Sequence, residues 1–578
     1  MIRKALTASR ISSKIRTVQR RVKHELHLQR SMIVAIVLLL GSAVLLPLFA
    51  LFSQVFINEQ RQFAGFSLIM KYLSSPSLLQ SLTHTMTVAV MSSIFAVSLA
   101  FLYAYGVTRI SLRGKTWLKY IALLPLFAPS MMHGIALTYL FGNQGVITTG
   151  GFGLFPGFSI PLYGPVGIII SEVMYTFPQA YLILLVSFAM ADYRLYEAAT
   201  TMGASGYRQF KTITLPSVKY GLLSALFVTF TLAFTDFGAP KIVGGNYNVL
   251  ATDLYKYVIG QQNMSMGAVV GIVLLIPALA AWWVDRYVSS KQEMSYSSKA
   301  VPYKVIKNPL RDCLIGSVCF VISGLILLLM GTVAWASLVK VWPYDLTLSF
   351  KHYDFSKAAG AGMNPYWNSI IVSLWTAAAG TIITFLTAYA VEKMKVLPIM
   401  RNAARLLAII PLALPGLVIG IAYILFFNIK GNPLHIMYGT ISILILANMV
   451  HFFSVSYVTA SSALKKLDTE FESVSSSLGI PFYRTMVKVT VPMTLGAILE
   501  IGMYYFINSM VTISAVVFLY AADLKLASVA IVNMDDAGDV APAAALSMLI
   551  VLTSIAVRLM YELITSKIRK KNEHWQQR

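Results

Sequence analysis

An acid, two small residues, a glycine and a proline recur twice along the chain at one spacing. In the first copy Asp192 leads to Glu197-Ala198-Ala199, then Gly203 and Pro216; in the second Asp468 leads to Glu472-Ser473-Val474, then Gly479 and Pro492. Asp to Gly is eleven residues in both copies, and Gly to Pro thirteen. This spacing predicts a short helix outside a bilayer, with small residues on a face that another protein can approach closely, ended by a glycine free to turn. Each proline falls where the first turn of a following helix tolerates one. Tyr207, Arg208 and Lys211, and in the second copy Tyr483, Arg484 and Lys488, add an amphipathic basic stretch. The chemistry on offer is contact and the transmission of movement.

Bond-making chemistry is poorly supplied. Gly114-Lys115-Thr116 has the tail of a phosphate-binding loop, but Arg109 stands where its leading glycine belongs, so it reads as basic loop charge. Cys313 and Cys319 lie in one apolar run and form no framework for a disulfide or a metal. No His/Glu or Ser/Lys constellation at catalytic spacing appears, and no metal site or bound cofactor is expected. The polar residues inside apolar runs are His133, Glu172, Asp236, Asn448, His451, Glu500 and Asn508. A polar group within a membrane span is costly unless it is paired or faces water. Glu172, Asp236, Asn448, His451 and Asn508 are therefore the candidates for a substrate route, with hydrogen bonding between helices as the plainer reading. Glu500 lies near a cytoplasmic end and reads as interfacial.

The elements that must position these residues follow from composition. Of 578 residues, 57% are hydrophobic and only 12% charged, about half the charged share of a soluble domain. Mean hydropathy is +0.71. The apolar residues fall into about twelve runs long enough to cross a hydrocarbon core of about 30 Å, too long and too uniform for barrel strands. The expected spans are 32–56, 82–108, 117–142, 165–190, 219–240, 267–287, 313–338, 367–391, 403–427, 438–463, 495–520 and 541–564. The net charge of +23 would suit nucleic acid in a soluble chain; here about 37 of the 46 Lys and Arg fall on one side of the membrane, with both termini in the cytoplasm and no nucleic-acid partner implied. A basic arm at 1–31 and a basic tail at 566–578 flank the spans.

The chain is also two copies of one unit. Ala104-Tyr105, Leu124-Pro125, Ala128-Pro129 and Gly134 correspond to Ala388-Tyr389, Ile410-Pro411, Leu414-Pro415 and Gly420, all in the same direction. The fold class is thus all-α and polytopic, with two parallel six-helix repeats. One half covers 32–288 (core 82–287) and the other 313–565 (core 367–564), joined by a polar, basic cytoplasmic linker at 289–312. Outside, the uncharged stretch 142–164 suits a fold-back or a lid, and Asp523, Lys525, Asp535, Asp536 and Asp539 suit a docking surface.

The loop template resembles the E-A-A-x-x-x-G and I-x-L-P loop of binding-protein-dependent ABC importer permeases. The first copy fits at every defined position, from Glu197 to Ile213, Leu215 and Pro216; in the second, Ser473 occupies the Glu position and Glu472 lies one residue earlier. The resemblance implies a type I importer membrane domain in a bacterial cytoplasmic (inner) membrane. It also implies two copies of a separate ATPase, which alone uses ATP, on the two loops, and an extracytoplasmic binding protein that delivers substrate. Fused permeases of this length resemble a ferric-iron branch and a 2-aminoethylphosphonate branch, with polyamine or thiamine as further cargo classes. The stretches 235–266 and 509–546 look more like the phosphonate branch. An ion-gradient-driven secondary transporter explains the spans and the parallel repeat equally well, but not the shared loop template.

Overall fold

A computed structural model describes residues 23–57, 60, 62–294, 301–356, 358, 362–468 and 470–576. Most of the basic arm therefore lies outside the described residues. The architecture is helical apart from a two-stranded antiparallel hairpin, Val339–Val341 with Asp345–Leu348. Among the described residues eight helices are long and apolar enough to cross a membrane alone, and up to twelve spans result when each of four bent pairs is counted as one.

The bent pairs correct four of the expected straight spans. Span 117–142 is Lys115–Phe127 followed by Ser130–Phe141 at 101°, and span 403–427 is Pro398–Ala413 followed by Gly416–Phe427 at 115°. The cause is written in the repeat itself: a residue that precedes proline is driven out of the helical region. Ala128 before Pro129 has ψ 140° and Leu414 before Pro415 has ψ 119°. Span 438–463 bends by 55° at Phe452, and span 495–520 is preceded by Phe482–Met493 at 78° across Thr494. That last span also ends early, at Val511. Residues 513–519 stay apolar because they are buried inside the protein, where irregular backbone is tolerated at membrane depth.

The prolines of the loop template sit deeper than a helix start. In the first half the helix is continuous from Gly206 to Thr235, and Pro216 follows a wide turn at Phe210–Thr214 in which Leu215 N–H donates to Phe210 O. Pro492 follows the matching turn Met486–Thr490. The wider turn accommodates a residue that lacks an N–H and crowds the preceding carbonyls.

Two packing features fix the halves. First, each half's opening helix packs on the other half. Ile33, Ile36 and Leu40 of Lys23–Gln54 are buried among Phe385, Tyr389 and Ala408, whereas Cys319, Ile322 and Ile326 of Pro309–Leu338 are buried among Val97, Tyr103 and Tyr181. Second, each half closes its bent pair against the segment that follows its fifth span, through a small residue facing serine. A Cβ on Gly238 would lie 2.3 Å from Ser130 Oγ, and one on Gly416 would lie 2.1 Å from Ser514 Oγ. Ser130 and Gly416 are equivalent positions, as are Gly238 and Ser514, so the two halves make the same contact with the residues exchanged.

Candidate functional site: two matching loops and a buried polar cluster

In the first loop Asp192 Oδ1 accepts from Arg194 N at 3.1 Å and starts the helix Tyr193–Thr201; in the second Asp468 Oδ1 accepts from Glu470 N at 3.0 Å ahead of Glu470–Ser477. The hydrogen bond from Arg194 holds the Asp192 carboxyl at about 2. Both helices end alike. Gly203 has φ +72° and Gly479 φ +68°, the left-handed conformation that closes a helix at low cost only with glycine. The next N–H, from Ala204 or Ile480, donates back to Ala199 O or Ser475 O at 2.9 Å in each case.

These caps set which side chains face outward. Leu195, Ala198 and Met202 form one exposed apolar stripe, and Phe471, Val474 and Leu478 form its counterpart. Such a stripe leaves apolar surface unpartnered on a loop outside the membrane, the mark of an interaction site. Glu197 is exposed beside its stripe, whereas Ala199 is buried. Glu472 turns the other way. It occupies the position of Tyr196, half-buried, and pairs through Oε2 with Lys393 Nζ at 3.4 Å. Ser473 takes the outward place that Glu197 holds in the first copy. The one-residue displacement of the acid has moved it from the outer to the inner face of the helix.

The polar residues of the spans divide into two groups. Asn448 donates to Ser509 Oγ at 2.7 Å and Asn508 to Tyr504 O at 2.8 Å, so both make bonds within the second half. Glu172 differs, although it is the counterpart of Asn448. It is fully buried, neither carboxyl oxygen has a hydrogen-bond donor in reach, and it faces the carboxyl of Asp236. Asp236 lies just past the end of Leu215–Thr235, not within a span, and accepts from Ala239 N at 2.8 Å. Tyr175 stands beside both acids and beside Tyr504 of the other half, which places the pair at the seam between halves. Its ring lies 6.4 Å from that of His133. Sequence reasoning missed Tyr175, yet it is the counterpart of His451, whose Nδ1 is buried without a partner. The repeat register could have found it.

Beyond the ends of the fifth spans the halves meet again. Lys241 Nζ pairs with Asp536 at 2.7 Å and lies 5.6 Å from the Tyr255 ring, which stacks on Phe518 at 6.4 Å. The stretch 142–164 packs on the second half's hairpin, with Trp342 Nε1 donating to Gln144 O at 2.9 Å and Phe152 5.4 Å from the Trp342 ring. Burial, with the neighbouring Asp536 carboxylate, pushes Asp535 up to about 6. A carboxyl raised in the folded protein holds its proton there more tightly than in the unfolded chain, whose value is about 4. Stability is therefore present below about pH 4 and lost as pH rises through about 6. The thermal midpoint of Asp535→Asn should gain on the wild type between pH 4 and 6 and run parallel to it above; a constant difference throughout would contradict this.

Comparison with known proteins agrees with the repeat. The signature of the family described as binding-protein-dependent transport system inner membrane component matches residues 92–293 and 380–570. A putative ferric transport system permease protein of Haemophilus influenzae is 27% identical over 506 residues, 86% of this chain and 78% of that one. A ferric transport system permease protein of Actinobacillus pleuropneumoniae is 25% identical over 554 residues, 93% of this chain and 78% of that one. A solved bacterial ABC transporter involved in alginate import aligns with 49% of this chain and 100% of its own, at 17% identity and a TM-score of 0.40. With the family signature present once in each half, the chain belongs to the binding-protein-dependent inner membrane components, as a multi-pass ABC importer permease of two fused halves.

Proposed function

We propose that this chain is the whole membrane pathway of an ATP-driven importer. Two copies of a partner ATPase bind the loops at 192–216 and 468–492, and an extracytoplasmic binding protein delivers cargo to the opposite face. The observation that carries this reading is the pair of matching apolar stripes, Leu195/Ala198/Met202 and Phe471/Val474/Leu478, each ended by a left-handed glycine. Closure of the ATPases on ATP draws the two loops together and shifts the bundle from inward-open to outward-open, and a loaded binding protein favours the same state. Both termini lie in the cytoplasm, on the strength of the Lys and Arg distribution. Glu197, Ala198, Gly203, Ser473 and Gly479 belong to the docking surface, while Ala199, Glu472, Pro216 and Pro492 shape the loops behind it.

For the cargo, ferric iron is the reading with most support. The relatives named as ferric transport permeases share most of their length with this chain, and the buried Glu172, facing the half-buried Asp236, suits a cation. The second reading, 2-aminoethylphosphonate, is favoured by the stretches 235–266 and 509–546, and its ammonium group suits the same pair. Uptake of labelled ferric iron and of labelled 2-aminoethylphosphonate by cells with and without the gene tests both. Loss of iron uptake alone supports the first, loss of phosphonate uptake alone the second. An unchanged rate for both removes both cargoes. A detergent-purified complex without an ATPase subunit would instead count against the loop assignment.

A further inference from the structure

Arg109 closes the helix Pro76–Arg109, and Lys393 follows the helix Asn364–Glu392, at equivalent places in the two halves. Both cations are almost fully withdrawn from solvent, and both meet the inner face of a cytoplasmic loop helix at the same position, seven residues before the glycine. Arg109 donates to Phe188 O at 2.8 Å and lies 5.7 Å from the Tyr196 ring. Lys393 donates to Leu467 O at 3.0 Å and pairs with Glu472. One contact is cation to aromatic ring, the other cation to carboxylate, and either attraction strengthens when water is excluded.

Each latch is then covered by a segment that belongs to, or leads directly into, the opening helix of the opposite half. In the first, Tyr303 of the linker leading into Pro309–Leu338 stacks over Arg109 at 4.0 Å and lies 5.0 Å from the Tyr196 ring. The same linker pairs with the loop through its backbone: Tyr193 N–H donates to Val301 O at 3.0 Å, and Val301 N–H to Asp192 Oδ1 at 3.3 Å. In the second, Glu25 of the opening helix accepts from Phe482 N–H at 2.9 Å, just past the loop glycine. A cavity of about 380 Å³ lined by Glu25, Lys393, Glu472 and Thr485 lies under this loop.

We propose that Arg109 and Lys393 are positioning residues that tie the two loop helices to the bundle. Tyr303 and Glu25 are crossed straps, each making the position of one loop follow the half to which it does not belong. Neither loop can then shift without pulling on the other half, and the two ATPase contacts move as a pair. This rests on the reading of the loops as ATPase-docking elements.

The test uses the full complex in liposomes, with binding protein and cargo, measuring cargo uptake, binding-protein-stimulated ATP hydrolysis and ATPase retention. Lys393→Glu and Glu472→Lys should each cut uptake about tenfold or more, because each sets two like charges together where little water reaches. The ATPase should stay bound, and the double exchange should recover most of the uptake. Tyr303→Ala should weaken stimulation of ATP hydrolysis by the binding protein, whereas Tyr303→Phe, which keeps the ring over Arg109, should not. Full uptake in both single charge variants overturns the proposal, as does a double exchange that restores thermal stability without uptake. A wild-type complex that retains no ATPase overturns the loop reading and this proposal together.

Discussion

Gly203→Asp and Gly479→Asp are each expected to abolish uptake while leaving the protein folded and inserted at close to wild-type amounts. Both glycines have positive φ, and a Cβ at either would meet no other atom within 4 Å. The steric cost is therefore that of the backbone conformation alone, about 1 kcal/mol for a residue as tolerant as Asp. That is small beside what holds a twelve-span bundle together. The damage is local: an added carboxylate stands at the end of an apolar stripe, where a docked partner would have to desolvate it. Membrane yield, thermal midpoint and uptake measured together decide the matter. Full uptake in both variants would remove these loops from the coupling pathway. Ala at the same positions should cost far less, which separates charge at the surface from backbone strain.

The second large effect is expected at Glu172. Two carboxyl groups that face each other inside a membrane protein, one of them with no donor of its own, either share a proton or hold a cation between them. Either state makes Glu172 dispensable for folding, since replacing a buried, poorly partnered charge by a neutral group of the same shape is neutral or stabilising. Glu172→Gln should leave the thermal midpoint unchanged or raised and lower uptake at least tenfold. Binding-protein-stimulated ATP hydrolysis should persist, because the loops are untouched. Glu172→Lys should go further, pairing with Asp236 beside the seam and closing the route. If Glu172→Gln lost stability and uptake in proportion, the pair would be a packing device; if it kept full uptake, the route would pass elsewhere.

Much of this was legible in the residues. The repeat and the glycine turns are local chemistry, and Gly203 and Gly479 turn the chain where their spacing predicts; that Asp192 and Asp468 cap the two loop helices came from the structure. Pro129 and Pro415 were legible as punctuation, but hydropathy alone cannot tell a bent pair from a straight span. The stretch after Val511 misled for a related reason: Val516, Val517 and Phe518 are apolar because they are buried, and burial does not require a helix. The inward turn of Glu472 depends on one residue of register, a quarter turn or so of helix, which composition does not resolve. Contacts between distant segments were out of reach altogether. Lys241 with Asp536, Arg109 with Tyr303 and Glu25 with Phe482 join residues that no local pattern links.

The crossed packing of the opening helices bears on how the chain is made. Lys23–Gln54 leaves the ribosome well before its partners, since the surface that buries Ile33, Ile36 and Leu40 begins with Asn364–Glu392, about 310 residues later. At about 5–20 residues per second, that interval is roughly 15–60 s. Throughout it the part of that helix around Ile33, Ile36 and Leu40 waits in the bilayer, covered by lipid or by whatever insertion machinery is holding it. The first half is therefore not a finished unit when its own last helix is made. Its assembly ends only after Asn364–Glu392 and the helices beyond it have entered the membrane and taken up Lys23–Gln54.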